Sequence, residues 1–480
     1  MMSIYLLNVL IICLIIHLTR ALENEQNGTV SLCQKRIRSC WCNTDELKLD
    51  CNHQLHFATI NNDTKFITLA DNFYPHSVDV SNNGLKLFNA SNFLTEEQRH
   101  HIKVLDLSDN LLDNVGSFFL DAFENLRVLN LSRNHLYFYK NKDAITFEDD
   151  SPARAFNWSS TKLFDTLETL VLSSTTWREN ASFPFKLLSK FKKLKRFVYD
   201  NNRLFVDTEN IGYQVDTVEE LSINNCGQLK NLSAEFLNMF PNLKKLWARN
   251  NKLQGFPDIF GLKNLKFLDL SRNNLRGDIS TRSLQDSGVE TLLLSGNEFF
   301  DFPSGAFAQF PNLTVLDISE NRVALEISKD AFHYTCRNGY EECKMRQLNL
   351  EGCRINKLSE SMLDWKKITN LNLKNNLFIC DSDLAWLILD ESIPIESGVD
   401  QAFCGLPAIL GGRILRSIKK EEIQNATQTF LKQYLEKIVD CFAGSERIFF
   451  FVLGIAFALT AILTNLYDVV YGVPTKNTPN

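Results

Sequence analysis

One eleven-residue pattern recurs along this chain at intervals of about 24 residues. It has leucine or another apolar residue at positions 1, 4, 6 and 11, and asparagine at position 9. The clear copies are IKVLDLSDNLL, LRVLNLSRNHL, LKKLWARNNKL, LKFLDLSRNNL, VETLLLSGNEF, LTVLDISENRV and ITNLNLKNNLF. The weaker copies are LETLVLSSTTW, LKRFVYDNNRL, VEELSINNCGQL and MRQLNLEGCRI, and HSVDVSNNGL is a degenerate first copy.

Each copy supplies one short strand whose leucines point to one side, because successive side chains of a strand alternate between its faces. A single copy cannot bury these leucines, so the copies must stack to form a core. At the ninth position, called the Asn slot below, the chain turns out of the strand. Buried backbone groups there need hydrogen-bond partners, which the side-chain amide of asparagine can supply. Its occupants include Asn110, Asn134, Asn202, Asn251, Asn273, Asn297, Asn321 and Asn376.

On this pattern, residues 66–379 resemble leucine-rich repeat proteins, with about 11–12 repeats. The resemblance implies an α/β solenoid in the shape of a horseshoe, closed by cysteine-sealed N- and C-terminal caps. Such families tolerate cysteine in the Asn slot. We therefore interpret Cys226 and Cys353, which occupy it, as buried free thiols and not as redox centres.

Two apolar runs lie outside the repeats. IYLLNVLIICLIIHL predicts a signal peptide over residues 1–21, with an uncleaved anchor as the alternative. IFFFVLGIAFALTAILTNL predicts a transmembrane helix over residues 448–466. A buried core helix, or a lipid anchor attached at 443–445, is the alternative. We expect a single-pass type I plasma-membrane protein, with an extracellular ectodomain, a juxtamembrane segment at 442–447 and a short cytoplasmic tail at 467–480.

Asn-x-Ser/Thr glycosylation sequons occur only between these apolar runs, which supports an extracellular location. A glycan on Asn130 would crowd the N-terminal part of the concave face. The predicted sites are Asn27, Asn62, Asn89, Asn130, Asn157, Asn180, Asn231, Asn312 and Asn425.

The segment CQKRIRSCWCNTDELKLDC resembles the N-terminal cap of these proteins, and we assign residues 22–65 to that cap. The resemblance implies the disulfides Cys33–Cys42 and Cys40–Cys51. The sequence alone allows three connectivities.

A C-terminal cap is predicted over residues 380–441. The resemblance implies a Cys380–Cys404 bond, and Ser382 stands where the family has a second cysteine. Cys441 is then left without its cap partner, at the end of a predicted amphipathic helix. We expect Cys441 to form an intermolecular disulfide, with a second copy of this chain as the candidate partner. A capped or palmitoylated thiol, or a bond with Cys226 or Cys353, is the alternative.

Two insertions interrupt the repeats. Residues 140–160 predict a surface loop. The segment HYTCRNGYEECK carries Cys336 and Cys343, whose close spacing predicts a Cys336–Cys343 disulfide. A two-cysteine metal site is the alternative there.

The chain carries a formal charge of -6, which argues against nucleic acid as a partner. It has no Ser-His-Asp order in a strand–turn–helix context, no His-Glu-x-x-His and no phosphate loop. We therefore predict a binding protein and not an enzyme, with no cofactor and no metal.

The binding residues are expected on the concave face, between the leucines of each strand. This position is polar at Asp106, Asp269 and Asp317. In other repeats the residue between the two leucines is apolar. In one repeat it is Trp247, and cations lie beside it in the sequence. Since an aromatic residue rimmed by cations is typical of a binding hot spot, the predicted ligand-binding residues are Val171, Val198, Lys245, Trp247, Arg249, Phe267 and Leu293.

The chain also resembles the trophoblast glycoprotein family. The shared features are an interrupted repeat array, the copy LETLVLSSTTWRENASF, a back cap that runs quickly into the membrane, and FVLGIAFAL in the span. That resemblance implies cell adhesion or modulation of signalling, including Wnt signalling, through an extracellular protein ligand or a neighbouring receptor. The alternatives are a pattern-recognition or co-receptor subunit that signals through a partner, and a decoy or lipid-anchored binding protein.

Overall fold

The computed structural model describes residues 40–429, together with 432 and 436, except for 44, 53–72, 87, 89–93, 113–121, 137–160, 176–182, 184, 205–212, 228, 260, 278, 280–286, 322–324, 334–343, 391, 394–400 and 427. Several predicted features lie outside these residues. They are the signal peptide, Cys33, the 140–160 insertion, the Cys336–Cys343 bond, Cys441, the 448–466 span, the tail, and the sequons at Asn27, Asn62, Asn89, Asn157 and Asn180.

Short strands, one from each repeat, build one long sheet. In chain order the sheet contains β1 (Trp41–Asn43), β2 (Lys48–Asp50), β3 (Ser77–Asp79), β4 (Val104–Asp106), β5 (Val128–Asn130), β6 (Thr169–Val171), β7 (Arg196–Val198), β8 (Glu220–Ser222), β9 (Lys245–Trp247), β10 (Phe267–Asp269), β11 (Thr291–Leu293), β13 (Val315–Asp317), β15 (Gln347–Asn349) and β16 (Asn370–Asn372). β1 and β2 pair antiparallel, and every later pair in the sheet is parallel. The degenerate copy HSVDVSNNGL is therefore a true strand-forming repeat, since it supplies β3.

Two small sheets and several short helices complete the described structure. β12 (Asp301–Phe302) pairs with β14 (Glu326–Ile327), and β17 (Leu377–Ile379) pairs with β18 (Phe403–Leu406). The α-helices include Glu96–His101, Thr161–Thr166, Ala234–Leu237 and Ala385–Leu389. The 3-10 helices are Phe185–Lys190, Glu360–Met362, Trp365–Lys367, Ser382–Leu384, Ala408–Leu410 and Leu415–Ser417.

The core lies on one side of the long sheet. The middle residue of each repeat strand is buried, as are the apolar residues that follow it, for example Leu105 and Leu107. Phenylalanines fill the space behind the strands. Phe183, Phe185 and Phe197 pack with ring centroids 5.2–6.0 Å apart, within the range that favours aromatic pairs.

Buried amides in the Asn slot connect each repeat to the one before it. The Nδ2 of Asn110 donates to the carbonyl of Leu107 in its own repeat and to that of Val80 in the preceding repeat, both at 3.0 Å. Its Oδ1 accepts from the backbone N–H groups of Asn83 and Leu85 at 3.1 and 3.0 Å. This arrangement satisfies buried backbone groups, as the sequence predicted for the slot.

Cysteine makes the same connection more weakly in two repeats. Cys226 and Cys353 are buried and free. The Sγ of Cys353 lies 3.0 Å from the carbonyl of Ile318, and that of Cys226 lies 3.5 Å from the carbonyl of Tyr199. Both carbonyls belong to the preceding repeat. Burial raises the pKa of each thiol to about 12, so both stay protonated at neutral pH.

A disulfide lies in each cap, as the resemblance to leucine-rich repeat proteins implied. Cys40, directly before β1, bonds to Cys51, directly after β2, with Cα atoms 4.3 Å apart. Cys380, directly after β17, bonds to Cys404 in β18, with Cα atoms 5.7 Å apart. Cys42 is also disulfide-bonded.

At the place of the missing cap cysteine, Ser382 is exposed. The chain is helical at 420–426, and the apolar residues of the amphipathic helix predicted before Cys441 lie outside the described residues. In the part of the chain that the structure describes, no helix has the length and apolar character needed to cross a membrane.

Candidate functional site

The sheet surface that faces away from the core, called the open face below, carries the predicted binding residues. It is formed by the first and third residues of each strand and by the residue two positions after the strand. These side chains are mostly partly exposed, while the residues between them are buried. The open face corresponds to the concave face expected of the repeats.

Trp247 and Phe267 meet on the open face. Trp247 is the last residue of β9 and Phe267 the first of β10, so they are diagonal neighbours in the parallel register. Their ring centroids lie 5.3 Å apart at an angle of 44°, and both side chains are partly exposed. Such a pair offers a rigid apolar surface, because few side-chain torsions need to be fixed when a ligand covers it.

Charged side chains border this aromatic pair. Lys245 Nζ lies 6.0 Å from the centre of the Trp247 ring and 2.9 Å from the Glu220 carboxylate. Glu220 also lies 3.7 Å from Arg196 on the next strand. Arg249 is exposed, and among the described residues its guanidinium has no ion pair. Its planar fork is therefore open to a carboxylate of a ligand.

A hydrogen-bonded polar group borders the other side of Trp247. Asp200 Oδ1 accepts from Ser222 Oγ and from the backbone N–H of Asn224, both at 2.7 Å. Asn224 Oδ1 in turn accepts from the backbone N–H of Arg249 at 2.8 Å. This network holds the backbone around Arg249 in place.

The other predicted residues do not join the aromatic pair. Leu293 lies in register with Trp247 but two strands away, with Asp269 between them. Val171 and Val198 are adjacent to each other, and Ser222 separates them from Trp247. Val198 is only 9% exposed, so it offers little surface to a ligand.

Sequence reasoning missed the Glu220 and Arg196 pairings and the Asp200 network. The alignment of the repeats in the sequence already contained the signal for these pairings. Arg196, Glu220 and Lys245 occupy the first position of consecutive strands, so alternating charges had to face one another across the sheet.

The remaining described sequons differ in exposure. Asn231 and Asn425 are exposed, while Asn130 and Asn312 are partly exposed. Asn130 lies on the open face, where its Nδ2 donates to Asp106 at 2.9 Å. Among the described residues, no group of three or more His, Cys, Asp and Glu side chains is arranged to hold a metal ion.

Comparison with known proteins gives several partial matches. Residues 241–284 match the family described as Leucine Rich repeats (2 copies). The zebrafish (Danio rerio) protein named transforming growth factor beta activator LRRC33 is 26% identical over 341 residues, which are 62% of this chain and 48% of that protein. Lumican of the rabbit (Oryctolagus cuniculus) is 31% identical over 149 residues, 30% of this chain and 73% of that sequence.

Other relatives match over shorter parts. Mouse (Mus musculus) lumican is 29% identical over 30% of this chain and 41% of its own length. The match thus spans less than half the length of both the zebrafish and the mouse relatives. These relatives are leucine-rich repeat proteins and not enzymes. With its parallel sheet of repeat strands, its Asn slots and these matches, the chain belongs to the leucine-rich repeat proteins.

Proposed function

We propose that this protein binds an extracellular protein ligand or a neighbouring receptor through the open face, at the Trp247–Phe267 pair. The observation that carries the proposal is this pair of partly exposed rings, packed 5.3 Å apart, with Lys245 and Arg249 at its border. Tryptophan and arginine are enriched among the few interface residues that dominate binding energy. The relatives, which are leucine-rich repeat proteins found outside cells or at their surface, support an extracellular setting.

The charges around the pair indicate what the ligand offers. The ligand needs an apolar or aromatic side chain to cover the two rings and a carboxylate to reach Arg249. Lys245 is already paired with Glu220, so Arg249 is the cation that a ligand would contact at the lower desolvation cost. An acidic partner would also approach Arg249 faster than a neutral one.

The finer setting is also part of the proposal. We place the protein at the plasma membrane as a single-pass chain, held by the predicted span at 448–466. Adhesion or restraint of Wnt signalling follows from the resemblance to trophoblast glycoprotein. The name of the zebrafish relative adds transforming growth factor beta as a growth factor to test.

A cell-surface experiment tests this function. Cells that display the full-length chain are compared with cells that display a Trp247→Ala, Phe267→Ala variant, for binding of labelled transforming growth factor beta and for adhesion to untransfected cells. We expect the variant to weaken one of these by about 30-fold or more, as the loss of a hot spot does. The control is Val104→Ala, Val128→Ala, which alters the same face four or more strands away.

Three outcomes are informative. A loss confined to the Trp247 variant supports the site. Equal binding and adhesion by both variants would remove the aromatic pair as the site. Wild-type cells that neither bind the growth factor nor adhere would remove the proposed functions themselves.

We also propose that Cys441 links two copies of the chain. Every cysteine that the structure describes is either disulfide-bonded or a buried thiol, and the place of the missing cap cysteine holds the exposed Ser382. A non-reducing gel of surface-labelled protein, with Cys441→Ser beside it, tests this link. We expect a band at twice the monomer mass that the substitution removes; monomer in both lanes contradicts the link.

A further inference from the structure

A dense run of cations lies in the middle of this acidic chain. Between Lys186 and Arg196, in the sequence KLLSKFKKLKR, six of the eleven residues are basic and none is acidic. The whole chain has a formal charge of -6. Such a local reversal of sign makes a separate electrostatic surface, since exposed charges act mainly within about 8 Å at physiological salt.

The fold presents the cations of this run to solvent. Leu187, Leu188, Phe191 and Leu194 are buried in the core behind β7. The basic residues between and after them are exposed, namely Lys190, Lys192, Lys193, Lys195 and Arg196. The run begins in the 3-10 helix Phe185–Lys190 and continues to β7. It forms an edge of the solenoid on which the chain buries each apolar residue and exposes every cation except Lys186, which is partly exposed.

Neighbouring repeats extend this edge. Lys195 immediately precedes β7, Lys244 precedes β9 and Lys266 precedes β10. Adjacent strands are about 4.8 Å apart, so these three lysines extend over about 14 Å along the sheet. They form, with Lys192 and Lys193, what is called the basic edge below.

An open groove runs along the basic edge. Its volume is about 600 Å³, and its lining includes Lys192, Lys193, Lys195 and Lys244 together with Glu168, Asp216 and Glu219. Lys192 pairs with Asp165 at 2.6 Å and Lys244 with Glu219 at 2.8 Å.

Neither pair closes the groove to an anion. Lys192 is 74% exposed, and Lys244 53%. Exposed pairs of this kind contribute little to stability, so a polyanion can displace them. Among the described residues, Lys193 and Lys195 form no ion pair.

We propose that the basic edge binds a sulfated polysaccharide chain. Flexible, exposed lysines act as point charges and suit a linear chain that presents sulfate groups at short intervals. The groove is open and lined by polar groups, so it fits a hydrated strand better than an apolar side chain. In the extracellular setting proposed above, sulfated polysaccharides are the abundant polyanions, while the anionic face of the membrane lies on the cytoplasmic side.

This inference is independent of the protein-binding site. The Trp247–Phe267 pair lies on the open face, whereas Lys192, Lys193 and Lys195 lie before β7 on the edge. A polysaccharide bound here would hold the protein in the cell coat while the open face stays accessible.

Heparin binding of the purified full-length protein tests the proposal. The variant Lys192→Gln, Lys193→Gln, Lys195→Gln is compared with wild type and with Lys252→Gln, Lys357→Gln, Lys366→Gln, which removes the same charge from exposed lysines elsewhere. Each protein is titrated with heparin, chemically desulfated heparin, a DNA oligonucleotide and vesicles of anionic phospholipid. Thermal unfolding checks that both variants fold.

At about 0.15 M salt we expect the edge variant to bind heparin at least tenfold more weakly than wild type, with a shallower dependence on salt. The control variant should lose much less, and wild type should bind desulfated heparin weakly. Equal losses in the two variants, or no loss in the edge variant, would overturn the site. DNA or vesicles that bind wild type as tightly as heparin would overturn the choice of a sulfated polysaccharide.

Discussion

The N-terminal and middle parts of the open face are built on the same frame but differ in what they offer. In β3 and β4 the third residue is aspartate, and each carboxylate accepts hydrogen bonds from the turn that directly follows its strand. Asp106 Oδ1 accepts from the backbone N–H of Ser108 at 2.8 Å and from its hydroxyl at 2.6 Å. In β9 and β10 the corresponding surface carries the Trp247–Phe267 pair.

The difference separates residues that specify the fold from residues that are free to specify a ligand. The buried middle residue of each strand and the Asn slot are equivalent in both parts. The aspartates satisfy local turns and leave little unsatisfied hydrogen-bonding capacity. The rings of the aromatic pair stay partly exposed, which is consistent with a role in binding.

The largest expected effect concerns the shared frame. Asn134→Ala in the N-terminal part and Asn273→Ala in the middle should each lower the free energy of unfolding by about 3 kcal/mol or more, because buried backbone partners are left unsatisfied. Asn273 Nδ2 donates to three carbonyls, and its Oδ1 accepts from Leu253 N–H at 3.1 Å. Denaturant unfolding measures the loss. The exposed neighbour Asn274, changed to alanine, is the control, and a large loss in only one part would show that the frame is not shared.

The next effect depends on pH and affects only repeats with cysteine in the slot. The pKa of Cys226 and of Cys353 is about 12 in the folded chain, above the usual value of 9.0, because burial disfavours the thiolate. The contribution of the thiols to the free energy of unfolding therefore keeps its full value below pH 9. It falls as pH rises from 9 towards 12, because the thiols ionise in the unfolded chain before they do so in the folded one. At pH 10 we expect a loss of about 1.4 kcal/mol for each thiol.

The measurement is denaturant unfolding at pH 8 and pH 10 of wild type and of a Cys226→Ser, Cys353→Ser variant. Serine does not titrate in this range, so the difference between the two proteins isolates the thiols from lysine and tyrosine. The same pH dependence in both proteins would contradict the prediction.

A smaller effect tests whether the aromatic pair acts as a unit. Trp247→Ala and Phe267→Ala, alone and together, should show a coupling energy of about 1 kcal/mol in the free energy of unfolding, as packed aromatic rings do. A Trp247→Ala, Leu293→Ala cycle is the control, since Asp269 separates those residues. Equal coupling in the two cycles would mean that the rings do not act as a separate pair.

The smallest effect concerns Asn130. Asn130→Gln should remove one glycan, visible as a mass shift, while changing the free energy of unfolding by no more than about 0.5 kcal/mol. Ligand binding at Trp247 should not change, because Asn130 is four strands away. Weaker binding after this substitution would extend the site into the N-terminal part; an unchanged mass would show that the sequon is not used.

The frame could be predicted from the sequence because it is periodic. The strands, the Asn slot, and the Cys40–Cys51 and Cys380–Cys404 bonds all follow from spacing or resemblance. The candidate site was predicted only in part. Apolar residues could be identified, but their grouping depends on the register, which places Asp269 between Trp247 and Leu293.

Burial also limited the prediction of the site. Val198 is apolar at a position that faces the open side, yet only 9% of it is exposed. Its exposure is set by neighbouring side chains on other strands, and a single repeat does not reveal them. The pairing of Glu220 with both Lys245 and Arg196 is likewise a property of three adjacent repeats.

The pairing of β5 with β6 has a consequence for how such a protein can change. Ser132 and Ser173 are hydrogen-bonded neighbours although 41 positions separate them, whereas 24 positions separate Asp106 from Asn130 one repeat earlier. The two strands keep the same register as the others. The length of chain between strands is therefore free to grow while the stack stays intact. Evolution can add surface there without altering the core, and an engineer can insert a peptide tag at the same place.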